Sequence, residues 1–408
     1  MDQLLSAARN ESDWVPNAAE LQLLARKLRD ELESHATEVD ENGIFPQKGL
    51  DEIRKCGLMG LVVEQRYGGI GASFSTMAEV TQTLAEGCTS TAMIWAMHCQ
   101  QVATIADYAE RSLCKSLLPR ISSGELYIAS VTSERDKGGE LLTALAPLHR
   151  IGNEAKIHRD APVVTGGANA DAFLITMRAN PDANPSDVVL VFAERSQVKV
   201  ETRSAWRSMG MRGTQSGGLV LEGQVPANHI IRHAKDFKHI AVSTMVPVGH
   251  IAWAAAWIGS ARGAFRRLLT LLRDPARRKA FPVHSDLFGE RLAEIRLQLD
   301  AASALLHQVS ATYDRMRTEE GIDSNAFASP WFNLQINNLK IAASELAFST
   351  VDRMVQLAGL RHGYLAGSEI ALDRVFRDLR SAALMYANDR LRVVNGKLTL
   401  LDLDVRLA

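Results

Sequence analysis

Apolar positions along the chain fall into two rhythms. Between residues 18 and 41, Leu21, Leu24, Leu28 and Leu32 recur every three or four positions, which is one buried stripe of a helix. Segments 50–57 and 77–87 repeat that rhythm. Segment 90–108 is apolar on most faces and predicts a core helix. From residue 126 the period shortens. Segments 126–132, 171–177, 188–194 and 198–202 are brief, rich in Val, Ile and Phe, and several alternate as half-buried strands do. Gly152-Asn153, Gly166-Gly167 and the cluster 180–186 supply turns between them. Beyond 235 the helical rhythm returns in the long runs 250–272, 284–319, 331–360 and 372–395. Their short connections predict an antiparallel four-helix bundle.

Proline placement follows the same division. Residues 1–125 hold Pro16, Pro46 and Pro119; five prolines lie in 126–235; four more end at Pro330, which leaves room for long helices. The expected fold class is therefore α+β, with an N-terminal helical domain (1–125), a central β domain (126–235) and a C-terminal helical bundle (236–408). Composition then excludes several roles. The 46 Lys and Arg balance 47 Asp and Glu across 408 residues, so there is no basic footprint for nucleic acid. The four cysteines, Cys56, Cys88, Cys99 and Cys114, form no C-x-x-C pair and read as reduced core thiols, with no metal site expected. Residues 1–16 lack the apolar run of a signal peptide. The most apolar stretch, 250–256 with its flanks, falls short of the ~20 residues that span a bilayer. A cytoplasmic protein with no membrane contact is expected.

Three motifs go further. The first is Gly60 to Gly71, with the tight turn Tyr67-Gly68-Gly69. The second is Trp206-Arg207-Ser208-Met209-Gly210-Met211-Arg212-Gly213-Thr214-Gln215-Ser216, followed by Val225-Pro226. The third is Gln356-Leu357-Ala358-Gly359 with Arg374-Val375-Phe376-Arg377-Asp378. Their order and spacing, on a helix–sheet–helix plan, resemble the acyl-CoA dehydrogenase superfamily of flavoproteins over nearly the whole chain.

The resemblance implies FAD as cofactor. Thr132 and Ser133 would meet the flavin's pyrimidine edge, where hydrogen bonds adjust the ring's electron affinity. Val163-Val164-Thr165 stands where the family has a ring-shielding Trp, an aliphatic residue and a hydroxyl; Thr165 keeps the hydroxyl. Arg278 and Phe281 match a family R-x-x-F-G motif, with Pro282 in place of the Gly. There the Arg pairs with the pyrophosphate of a neighbouring subunit. Gln356 and Gly359 match Q-x-x-G-G, with Leu360 in place of the second Gly. Sites completed across subunits imply a homodimer or homotetramer. Arg212 and Thr214 have structural and ligand-binding readings open to them.

One expected residue is missing. Removing a hydride at Cβ of an acyl thioester requires a base for the Cα proton, and the family uses a Glu with a raised pKa. The aligned position is Tyr386, and the alternative position on an earlier helix is Gly249, beside His250. The family's Gly-Ser-Asp near the thioester is replaced by Gly138-Gly139-Glu140. The His that marks several monooxygenases of the superfamily is Met385 here. Substitute catalytic candidates are Asp389, His250 and Tyr386; Glu369 and His98 read more readily as surface and core residues. Three functions follow from the resemblance. The first is α,β-dehydrogenation of an acyl thioester, on CoA or a carrier protein, with a non-standard base. The second is a monooxygenase using reduced flavin and O2 on a small molecule. The third is a non-catalytic partner subunit. An electron-transfer flavoprotein or a flavin reductase would be the redox partner.

Overall fold

The computed structural model describes residues 16–137 and 140–405. The leader reading of residues 1–15 and the Gly138-Gly139 pair lie outside the described residues. Helix α1 (Ala18–Asn42) begins at a reciprocal cap. Asn17 Oδ1 accepts from the Ala19 and Glu20 amides at 3.0 and 3.1 Å, and Glu20 accepts from the Asn17 amide at 2.8 Å. Helices α2 (Gln47–Lys55), α3 (Phe74–Gly87) and α4 (Thr89–Tyr108) follow where the rhythm places them. Helix α5 (Arg111–Ser122) does not announce itself, because Pro119 interrupts its pattern; Leu113, Leu117, Leu118 and Ile121 still form a buried face.

Two four-stranded sheets follow. Strands β1 (Ile128–Val131), β4 (Ala172–Arg178), β5 (Val188–Glu194) and β8 (Ile230–Ile231) form one, in the order β1-β4-β5-β8. Strands β2 (His149–Ile151), β3 (Glu154–Ala161), β7 (Gly218–Pro226) and β6 (Val198–Ser204) form the other, in the order β2-β3-β7-β6. Strand β3 carries Glu154, Lys156, His158 and Asp160 between buried Ala155, Ile157, Arg159 and Ala161, so its apolar content understates it. Arg159 is fully buried and pairs with Glu134, which also accepts from the amides of Leu145 and Ala146 at 2.9 and 2.8 Å. A buried ion pair thus shapes the loop that leaves β1.

The bundle is α6 (Phe237–Arg273), α7 (Asp286–Glu319), α8 (Pro330–Gly359), α9 (Leu372–Arg380) and α10 (Asn388–Thr399). The long apolar run is not confined to 250–256. Helix α6 is long and apolar enough to cross a membrane, but 83% of its most apolar window is buried inside the fold. It contains a π-turn at Ala241–Met245. The π-turn carbonyls are taken by neighbours: Tyr313 donates to Ser243 O at 2.7 Å, and Gln100 to Met245 O at 2.5 Å. The 233–239 linker into α6 is held by hydrogen bonds from His233 to Asp323 (2.9 Å) and from His239 to the Ile322 carbonyl (3.1 Å). The run 372–395 is not one helix. It breaks at 381–387, where Tyr386 takes a left-handed φ of 50°.

One joint connects the three parts. Met211 in the β-domain loop is also left-handed, at φ 54°. Its amide donates to buried Asp378 of α9 at 2.5 Å, and its carbonyl accepts from Trp206 Nε1 at 2.9 Å and Thr214 Oγ1 at 2.7 Å. Arg377 donates to Asp40 of α1 at 2.9 Å and to Met209 O at 3.3 Å. Gly210 lies so close to the Arg377 carbonyl that a β-carbon there would overlap backbone. We therefore expect Gly210→Ala to lower stability by more than ~2 kcal/mol, since backbone cannot move aside as a side chain can. Gly289→Ala on α7, which faces open space, should raise stability by about 0.5–1 kcal/mol. Chemical denaturation of the two variants checks the contrast.

Candidate active site

A cleft of about 510 Å³ opens between the β domain, α4 and the segment that follows α9. Met93 comes from α4. Val163, Thr165, Ser208, Met209, Met211, Thr214 and Ser216 come from β-domain loops, and Arg377, Arg380, Ser381, Leu384 and Met385 from the bundle side. Four thioethers therefore wall it. No carboxylate lines it among the described residues.

Polar groups enter from both sides: Thr165, Ser208, Thr214 and Ser216 from the β domain, Arg377, Arg380 and Ser381 from the bundle. Thr214 Oγ1 and Ser216 Oγ are 2.8 Å apart, and Ser216 Oγ donates to Thr165 Oγ1 at 3.1 Å. The Thr165 carbonyl accepts from Tyr127 at 3.0 Å, which fixes the strand end. Ser208 Oγ is buried without a partner and belongs to the same cleft. Ser133 is committed locally: its hydroxyl donates to Val163 O at 2.8 Å and accepts from Val163 N at 3.3 Å. Thr132 follows the end of β1, half-buried.

The second set of expected ligands lies elsewhere. Arg278 is exposed on the short turn Arg277–Ala280, and the Phe281 ring lies 5.5 Å from His362, just past Gly359. Gln356 is exposed and donates to Asp352 at 2.8 Å; Gly359 is exposed with φ 69°. None of these four lines the cleft.

The substitute bases separate. Asp389 has a side chain 98% exposed and faces Arg392 at 3.9 Å, so it is not brought to the cleft. Glu369 is paired with Arg277 at the surface. His98 is a satisfied core residue: Nδ1 accepts from Ile128 N, and Nε2 bonds Met59 O, both at 3.1 Å. A β-carbon at Gly249 would overlap the Gln100 amide, so a longer side chain there requires that amide to leave its bond to the Met245 carbonyl. His250 and Tyr386 do come together, with rings 5.6 Å apart and edge to face. Packing raises the Tyr386 phenol above its ordinary pKa, and the Glu140 charge adds to this.

Beneath Tyr386 lies a residue that pattern reading passed over. Lys340 is fully buried on the apolar stripe of α8 that includes Phe332, Ile336, Ala343 and Ala347. It donates to the carbonyls of Ala382 (3.1 Å) and Tyr386 (3.2 Å) and to Asn388 Oδ1 (2.7 Å), and it stands 5.5 Å from the Trp257 ring. A lysine on an apolar stripe was the available signal. Burial lowers its pKa to about 8.

His250 is 1% exposed and its Nδ1 has no partner. Burial first, then the Lys340 charge, push its pKa down to about 3. The folded chain therefore refuses a proton that the unfolded chain accepts below about pH 6.5. Stability from this residue is intact above that pH and is lost as pH falls toward 3. We expect His250→Gln to remove roughly 2–3 kcal/mol of the wild-type loss between about pH 7 and pH 4.5. Urea denaturation of both proteins at the two pH values measures it.

Comparison with known proteins places this geometry. Residues 18–125 match the family model "Acyl-CoA dehydrogenase, N-terminal domain", and residues 240–386 match "Acyl-CoA dehydrogenase, C-terminal domain". A cyclohex-1-ene-1-carbonyl-CoA dehydrogenase of Syntrophus aciditrophicus is 23% identical, over 90% of this chain and 86% of the relative. A short-chain specific acyl-CoA dehydrogenase of Clostridium acetobutylicum is also 23% identical, over 92% and 96%. Among solved structures, FMN-bound TdsC of Paenibacillus sp. A11-2, a dibenzothiophene monooxygenase, superposes with TM-score 0.82 at 20% identity, over 95% of this chain and 98% of that one. Butyryl-CoA dehydrogenase of Megasphaera elsdenii gives TM-score 0.82 at 20% identity, over 95% and 100%. With both family models matched in order around the sheet domain, the chain belongs to the acyl-CoA dehydrogenase family.

Proposed function

We propose that the chain is a flavin-dependent oxidoreductase whose cleft serves monooxygenation of a small apolar substrate, ahead of thioester dehydrogenation. The observation that carries the reading is the lining of the cleft. Thioethers and aliphatic groups make up most of its wall, with hydroxyls and the two arginines Arg377 and Arg380 among them, and no carboxylate faces into it among the described residues. The cleft also fits a flavin ring: it is apolar, and Ser208 Oγ stands in it as a buried polar atom without a partner. Ser208, Thr165 and the backbone near Thr132 would hold the ring. Arg278, Phe281, Gln356 and Gly359 would meet the adenine-diphosphate portion of a second copy's FAD.

When bound and reduced, a flavin would supply the two electrons by which one atom of O2 enters the substrate and the other leaves as water. The protein's part is exclusion and placement. Met93, Met209, Met211 and Met385 keep water from the reacting atoms. The Thr214, Ser216 and Thr165 hydroxyls form a hydrogen-bonded series on the cleft wall that can offer polar contacts to a bound ring. The Tyr386 phenol, next to the cleft-lining Met385, keeps its proton, because burial raises its pKa. A cytoplasmic setting with a flavin reductase as partner belongs to the same proposal.

One observation favours dehydrogenation as the second reading. The charge of Glu140 acts on Tyr386, so a carboxylate from the β-domain loop bears on the position where the family has its Glu. In that reading Glu140 or His250 takes the Cα proton, and an electron-transfer flavoprotein takes the electrons.

The test is spectroscopic. The chain should bind FAD or FMN, and acyl-CoA thioesters should leave the oxidised flavin unbleached without oxygen. With reductase and O2, a panel of apolar heterocycles should give hydroxylated or S-oxidised products. Anaerobic bleaching by a thioester that disappears in Glu140→Gln would reverse the order of the two readings. Ser208→Ala should weaken flavin binding about fivefold, the equivalent of one hydrogen bond of ~1 kcal/mol, as read by fluorescence titration.

A further inference from the structure

We infer that Lys340 is the positioning residue of the cleft, holding the 381–387 turn and the left-handed Tyr386 through backbone carbonyls. The inference uses the flavin-cleft reading only for one of its readouts.

The turn needs such a residue. Between α9 and α10 the helical ladder is interrupted, and only local bonds remain. Leu384 and Met385 amides donate to Ser381 O at 2.9 and 3.0 Å, and the Asn388 amide to Ala383 O at 3.1 Å. The carbonyls of Ala382 and Tyr386 are left for a donor outside the turn, and Lys340 supplies it. Its third donor goes to Asn388 Oδ1, whose own amide donates to Ser344 Oγ (3.0 Å) and Glu345 Oε1 (2.9 Å). Three N–H groups meet three acceptors, so the ammonium is saturated without a carboxylate.

This arrangement has a particular energetic signature. An ammonium buried with no carboxylate bonded to it, and only the Glu345 charge acting nearby, costs stability globally, while its hydrogen bonds order the turn locally. A residue present only for packing or stability would give the two effects the same sign. Here they oppose. The turn carries Leu384 and Met385 into the cleft wall and sets the Tyr386 ring against His250. Local loosening therefore reaches the cofactor side directly.

The experiment compares wild type with Lys340→Met and Lys340→Arg as full chains. Amide hydrogen exchange is followed at Leu384, Met385 and Asn388, with global unfolding measured in parallel. Lys340→Met should lower protection of those three amides about tenfold, the loss of roughly one charged hydrogen bond, while global stability stays level or rises. Lys340→Arg, which keeps the charged donors, should restore part of the protection. Flavin affinity should fall in Lys340→Met and recover in Lys340→Arg. Unchanged protection at all three amides, or a loss shared equally by the whole chain, overturns the inference. Should Lys340→Met fail to fold, Asn388→Ala, which removes one of the three acceptors, must still lower protection at Met385; no change there overturns it as well. Because exchange is read without cofactor, failure of the flavin proposal leaves this result interpretable.

Discussion

The hydrogen bond from the Met211 amide to buried Asp378 is the constraint on which the cleft depends. A non-glycine residue in the left-handed region carries strain of about 1 kcal/mol or more, and it persists only where neighbours determine it. Met211 is determined from both sides: its amide is claimed by the bundle and its carbonyl by its own loop. Burial lifts the Asp378 pKa to about 6, against the Met211 amide and the nearby arginines that favour its charged form. Arg377, one position earlier, ties the same helix to α1 through Asp40. All three parts of the chain meet within a few residues, and the cleft is the space they leave between them.

Much of this architecture was legible in the chain, because periodicity reports burial and most elements bury one face. The long helices and the strands around 172–178 and 188–194 follow directly. Strand β3 did not, since its exposed face carries four charged or polar residues and its buried face includes Arg159. Helix α5 was masked by Pro119. The break at 381–387 was invisible for a different reason. Its residues are good helix formers, and the interruption is enforced by Lys340, more than forty positions away in sequence. Local propensity holds no information about such a partner.

The same reasoning separates the candidate bases. The resemblance put Tyr386 at one base position and His250 beside the alternative one, with Asp389 one helical turn past Tyr386. Only the fold shows that Asp389 faces solvent while His250 and Tyr386 pack together above a buried ammonium. Burial, seconded by that ammonium, keeps His250 neutral, and the ammonium itself bonds backbone carbonyls rather than carboxylates. A carboxylate set among these groups would be drawn into an ion pair with Lys340 and lose its basicity.

The four thioethers of the cleft carry a consequence of another kind. Methionine sulfur is oxidised to a sulfoxide by the partly reduced oxygen species that escape from flavins, and the product is polar and chiral. Met93, the Met209–Met211 pair and Met385 come from three separate segments, so oxidation can wet any of three walls. If the cleft handles O2 as proposed, wear would follow use: working life would be counted in turnovers rather than hours, and methionine repair would become part of its maintenance.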